Sequence, residues 1–114
     1  MKLYEEGATL IQYGDYSKAR DLIKSAKMFD NRYSKESIFN NNLGIVLYRC
    51  GNVEEAESAF KAAIDYTSTN PRIYKNYADV LIKQGKFKLA KEALINALKL
   101  NPNYTEAKVL LEGL

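Results

Sequence analysis

The chain has no histidine and one cysteine, Cys50. The side chains that most often serve as general base or metal ligand near neutral pH are therefore missing or alone. Without a histidine partner Cys50 is a poor nucleophile, and no His/Cys cluster has the spacing of metal ligands. Gly7, Gly14, Gly44, Gly51, Gly85 and Gly113 punctuate the chain but form no phosphate-cradling loop. The reading is non-enzymatic, with no cofactor and no metal. What remains is recognition chemistry carried by amides and cations. Asn40, Asn41 and Asn42 stand in a row, and Asn76 follows Asn42 at a distance of 34 residues. A carboxamide donates and accepts at once, which suits the backbone of an extended peptide, and asparagine is a mediocre helix former. For Asn42 and Asn76 peptide contact and a merely solvated face are equally open; for Asn40 the solvated face is favoured. Residues 71–100 hold seven Lys/Arg against two acids, whereas residues 37–70 hold two against four. Arg49, Arg72, Lys75 and Lys83 would favour an acidic segment or a terminal carboxylate if they share a surface. The other reading of these cations is a solvated basic face that serves solubility.

The elements that would position these residues follow from a repeat. Shifted by 34 residues, Gly85 falls on Gly51, and Ala90, Ala93 and Ala97 fall on Ala56, Ala59 and Ala63. Leu81, Val80 and Asn76 likewise fall on Leu47, Val46 and Asn42. An earlier copy, GATLIQYGDYSKARDLIKSA, aligns at a spacing of 37, with Gly14 on Gly51 and Ala19 on Ala56. Within each unit apolar residues recur at helical spacing in two runs: Ile73, Tyr77, Val80 and Leu81, then Phe87, Ala90, Leu94, Ala97 and Leu98. The glycine between the runs can end a helix in the left-handed region at little steric cost. Asn52 with Glu55 and Asn103 with Glu106 have the spacing of capping pairs, and Asn70 precedes a proline suited to the first helical position. Asn103-Tyr104-Thr105 is read as such a cap rather than as a glycosylation acceptor. The spacing predicts helices over 2–13, 16–28, 35–49, 53–66, 71–83, 87–99 and 103–112. Two such helices cannot bury their apolar faces alone, so the units must stack, with Gly44, Ala56, Ala63, Ala78, Ala90 and Ala97 at the close crossings.

At 114 residues, 46% hydrophobic and 27% charged, this is one soluble domain's worth of chain. No apolar run approaches the roughly 20 residues of a membrane helix, and MKLYEEGATL lacks the apolar segment of a signal peptide. A lone cysteine fits a reducing compartment, so the expected location is cytoplasmic. A net charge of +3 is slight for a phosphate-binding protein, which speaks against a nucleic-acid partner.

The order and spacing of these residues resemble the tetratricopeptide repeat (TPR) family. The match runs through Leu43-Gly44, Leu47, Gly51, Val53, Ala56, Phe60 and Ala63, then Tyr74, Tyr77-Ala78, Leu81, Gly85, Phe87, Ala90, Leu94, Ala97 and Pro102. The first unit contributes Gly7, Leu10, Gly14, Tyr16, Ala19, Ile23 and Ala26. Asn40 departs from the usual aromatic and Ser68 from the usual proline. The resemblance implies an all-α right-handed superhelical solenoid of stacked antiparallel helix pairs, about seven helices in one array. Repeat 1 spans about 1–33, repeat 2 37–70, repeat 3 71–104, and a capping or partial helix 105–114. It further implies a concave groove lined by the first helix of each pair, here presenting Asn41, Asn42, Ile45, Tyr48, Arg49, Arg72, Lys75, Asn76, Asp79 and Lys83, with Ile38 beside them. The expected partner is a protein or peptide, an acidic segment among the candidates, and not a membrane. The carboxylate clamp that some relatives use for chaperone tails needs Lys and Asn where this chain has Tyr4 and Ala8, which speaks against that ligand. The alternative is self-assembly through stacked repeat ends, with Leu110 and Leu111 exposed.

Overall fold

The computed structural model of the protein describes residues 15–29, 36–66 and 69–114. All six regular elements among them are helices: α1 (Tyr16–Phe29), α2 (Ser37–Arg49), α3 (Val53–Tyr66), α4 (Pro71–Lys83), α5 (Phe87–Leu100) and α6 (Thr105–Glu112). The helix expected over 2–13 lies outside the described residues, as do Tyr4, Gly7, Ala8, Leu10 and Gly14. Each helix packs on the next in chain order, and α2 also touches α4. The result is an elongated body of 40 × 24 × 22 Å. None of the described helices is long and apolar enough to cross a membrane.

Backbone chemistry explains where the helices stop. Gly51 and Gly85 are the described residues with positive φ, at 85° and 76°. Each lets the chain close a helix in the same two-bond pattern. Gly51 N–H donates to the Tyr48 carbonyl and Asn52 N–H to that of Leu47; Gly85 and Lys86 repeat this on Ile82 and Leu81. Asn70 caps α4, its side chain accepting from the Arg72 N–H at 3.0 Å, with Pro71 in the first turn. The other two expected capping pairs do not form. Asn52 Oδ1 accepts from Arg20 Nη1 at 3.2 Å and Glu55 Oε2 pairs with Lys24 Nζ at 3.1 Å, so both residues bridge to α1 instead. Asn103 donates its N–H to Asn101 Oδ1, which tightens the turn around Pro102 and delays α6 to Thr105, with Tyr104 at its cap position.

Two buried clusters form the interior. The first joins Ala19, Ile23 and Ala26 of α1 to Phe39, Leu43, Val46 and Leu47 of α2, Ala56, Ala59 and Phe60 of α3, and Val80 of α4. The second joins Ala78 and Leu81 of α4, Ala90, Ala93, Leu94 and Ala97 of α5, and Ala107 of α6. Tyr77 packs against both. All six residues expected at close crossings are buried, Gly44 among them. Three expectations fail. Asn40 is buried, not solvated, because its Nδ2 donates at 2.9 Å to the Glu36 carbonyl one turn back and so needs no water. Phe87 opens α5 at 55% exposure. Leu110 and Leu111 are half-buried against the second cluster, while Val109 is the exposed apolar residue of α6.

Polar bridges join successive pairs along the second helices. Glu57 of α3 accepts from Lys86 Nζ at 2.8 Å and from the Gln84 amide, both in the α4–α5 turn. The Lys86 hydrogen bond holds the Glu57 carboxyl below the ordinary carboxylate value, against partial burial, with Gln84 adding to the effect. The same bond holds the Lys86 ammonium above the ordinary lysine value. Glu57 therefore contributes stability that is present above its unfolded value of 4.5 and lost as pH falls through its lower folded value. Lys86 contributes below 10.5 and loses the contribution as pH rises through its higher folded value. Glu57→Gln is expected to melt earlier than the parent at neutral pH. Thermal melts should show the gap narrowing as pH drops below 4.5; a gap constant with pH would sever it from this ion pair.

Candidate functional site

The first helices of the two fully described pairs, α2 and α4, lie side by side, and eight of the ten predicted residues, all but Asn42 and Lys83, line their shared recesses or bond across the seam. Asn41, Asn42, Ile45 and Tyr48 are half-buried on α2, as are Lys75, Asn76 and Asp79 on α4. Arg49, Arg72 and Lys83 are exposed. Ile38, 69% exposed, stands at the start of the same face. The face is shaped by two recesses that share Lys75 and Asn76. One of about 90 Å³ is lined by Ile45, Tyr48, Arg49, Phe60, Lys75, Asn76 and Asp79. The other, about 410 Å³, runs between α4 and α6 and is lined by Asn70, Pro71, Arg72, Lys75, Asn76, Asn101, Tyr104 and Glu106. Of the predicted residues, Asn41, Asn42 and Lys83 line neither of these two recesses.

The sequence placed Asn42 and Asn76 as equivalents, but across the repeat boundary it is Asn41 that pairs. Asn76 Nδ2 donates to Asn41 Oδ1 at 3.1 Å. This contact falls one position off the 34-residue equivalence and the Lys75–Glu106 contact three off, so equivalence in the repeat does not mean contact. The bond fixes both side chains across the α2–α4 seam.

Charge on this face differs from the expectation in one place. Lys75 Nζ lies 2.8 Å from Asp79 Oδ2 and 3.7 Å from Glu106 Oε2. Partial burial opposes its charge, yet the bond to Asp79 and the pull of Asp79, Glu106 and Tyr104 outweigh that and hold the ammonium above the ordinary lysine value. Lys75 is thus a permanently charged hub whose field is absorbed by two carboxylates. Arg49 sits over the Tyr16 ring, 5.6 Å from its centre, a cation–π contact that ties the end of α2 to α1. Among the described residues Arg49, Arg72 and Lys83 belong to no ion pair. Glu106, Tyr104 and Asn101 were missed from sequence. The repeat carried the signal, since Glu106 stands 34 residues after Arg72.

Among the described residues no three of His, Cys, Asp and Glu are grouped as a metal site would require. The fold and face together define a helix-pair repeat array with a polar, mixed-charge face along its first helices. Tetratricopeptide repeat family models match residues 4–71 and 47–113. The chain belongs to the tetratricopeptide repeat family. It is 30% identical over 90 residues, 79% of its length, to the TPR repeat-containing thioredoxin TTL4 of Arabidopsis thaliana, and spans 12% of that relative. Among solved structures it is similar to the first TPR of Spaghetti (RPAP3) bound to the HSP90 peptide SRMEEVD. That match has 22% identity and a TM-score of 0.87, covering 97% of this chain and 86% of that one. The Yersinia enterocolitica type III secretion chaperone SycD, in complex with a peptide of the translocator YopD, matches at 22% identity and a TM-score of 0.85. It covers 98% of this chain and 88% of that one.

Proposed function

We propose that the chain is a scaffold without catalysis of its own, holding a peptide segment of a partner protein on the α2/α4 face, the concave side in this family. The observation that carries this reading is the Asn41–Asn76 bond. Whichever way the two amides are turned, one N–H donor group and one carbonyl acceptor stay available, the complement of a peptide's own C=O and N–H. Similar folds solved with peptides of HSP90 and YopD support a peptide as the kind of ligand. Tyr48 and Ile45 supply an apolar wall to the smaller recess. Selection of acidic character falls to Arg49, Arg72 and Lys83, because the charge of Lys75 is absorbed by Asp79 and Glu106. The test is quantitative affinity capture by the parent and by an Arg49→Glu/Arg72→Glu/Lys83→Glu variant. These side chains are exposed, so the fold should survive. Partner recovery is expected to fall sharply; undiminished recovery would count against the groove assignment.

Self-assembly through stacked ends is the second reading, favoured by Val109, which is 61% exposed on α6. Light scattering that finds only monomer at high concentration would remove it.

A further inference from the structure

On the side of α2 turned away from Asn41 and Asn42, a recess of about 450 Å³ opens between α1 and α3. Asn40, Leu43 and Leu47 of α2 and Ala59 of α3, all buried, line it, and Ala62 forms part of the α3 wall. Met28 of α1, 88% exposed, stands at its edge. The recess has a cause in the repeat. The positions of Asn40 and Leu43 are those of Tyr74 and Tyr77 one unit later. There, two aromatic rings pack half-buried against the second cluster. Here an amide and a leucine stand instead, and the amide is turned back on the Glu36 carbonyl. The chain thus carries, in its own third repeat, a sample of what fits this kind of space.

The rim has a sign. Lys24 and Lys27 of α1 face Glu55 of α3; Lys24 is bonded to Glu55 at 3.1 Å, and Lys27 belongs to no ion pair among the described residues. One cation is left over. We propose that this recess is a second binding site, separate from the α2/α4 face, that takes the tyrosine side chain of a partner from a segment with carboxylates flanking the ring. The phenol ring lies against Leu43, Leu47 and Ala59, its polar tip stays in water, as suits an amphipathic aromatic anchor, and a neighbouring carboxylate meets Lys27.

Amide chemical-shift titration of the whole chain with the blocked tripeptide Asp-Tyr-Asp tests this. Shifts are expected at Leu43, Ala59 and Ala62, with none for Asp-Ala-Asp and with affinity roughly two- to fivefold weaker for Lys-Tyr-Lys, the scale of one exposed ion pair. Asn40→Tyr, which installs the side chain of the next repeat, should abolish the shifts. If that variant does not fold, Ala62→Leu narrows the same recess from the opposite wall and should weaken binding. The proposal is overturned if Asp-Tyr-Asp moves no amide around the recess. It is also overturned if its shifts persist in the folded filled variant, if Asp-Ala-Asp reproduces them, or if Lys-Tyr-Lys binds as tightly.

Discussion

Gly44→Ala is expected to lower the melting temperature of this protein, although alanine is the better helix former. A Cβ built at Gly44 would lie 2.7–2.8 Å from three atoms of the Phe60 ring, inside any normal contact. The ring is 2% exposed, rigid and enclosed in the first cluster, so it cannot move aside cheaply. Overpacking of this kind costs about 1–3 kcal/mol, against roughly 1 kcal/mol gained in helix propensity. Removing the other partner acts through a different term: Phe60→Ala deletes a buried ring and leaves a cavity, at about 3–5 kcal/mol. The two changes should be coupled. In a Phe60→Ala background the overlap is gone, and Gly44→Ala becomes neutral or stabilising. A double-mutant cycle by thermal or denaturant unfolding measures this directly. An unchanged melting temperature for Gly44→Ala, or additive effects in the cycle, would show that the α2–α3 crossing is looser than its geometry implies.

The same crossing shows how much of the fold was legible in advance. Small residues at Gly44, Ala56 and Ala90 and breaks at Gly51 and Gly85 are short-range backbone and packing requirements, so periodicity exposes them. Six of the seven predicted helices lie within two residues of the observed bounds and the seventh, over 2–13, lies outside the described residues; α6 begins two residues late because Asn101 and Asn103 build their own turn. Partner choice by polar side chains was not legible. Asn52 and Glu55 have the spacing of a capping pair, yet each finds a partner on α1 some 32 or 31 residues away. Lys75 reads as a free cation until Asp79, one turn on, and Glu106, in the next unit, are brought to it. Asn40 reads as a side chain in solvent until its amide turns back on its own helix. A repeat says which positions are equivalent; the offset between neighbouring helices decides which of them touch. That is why the candidate face was found in outline and its pairing, Asn41 with Asn76, was not.

The division of the interior into two clusters leads to the second large effect. Ala90 is fully buried where α5 meets α4, so Ala90→Leu should overpack that crossing by about 1–3 kcal/mol. In a globular core such a loss is shared by the whole molecule. In a stacked array, stability is approximately a sum of unit and neighbour terms, so damage stays near its source. Here, among the described residues, the clusters share no buried member; Val80 of α4 belongs to the first, Tyr77 flanks both, and Glu57 bonds across to Gln84 and Lys86. Native-state hydrogen exchange on Ala90→Leu is therefore expected to show weakened protection in α4, α5 and α6 and a smaller loss in α2 and α3. The reciprocal experiment with Phe60→Ala should reverse the order, with α1, α2 and α3 losing most. Equal loss everywhere in both variants would mean that Val80 and Tyr77 weld the two clusters into one cooperative unit. The functional consequence follows from where the seam lies. Asn41 and Asn76 bridge it on the proposed recognition face, one residue from each side. A ligand that grips both amides adds a tie between α2 and α4, so it should raise protection in both clusters together, where each mutation lowers it mainly in one.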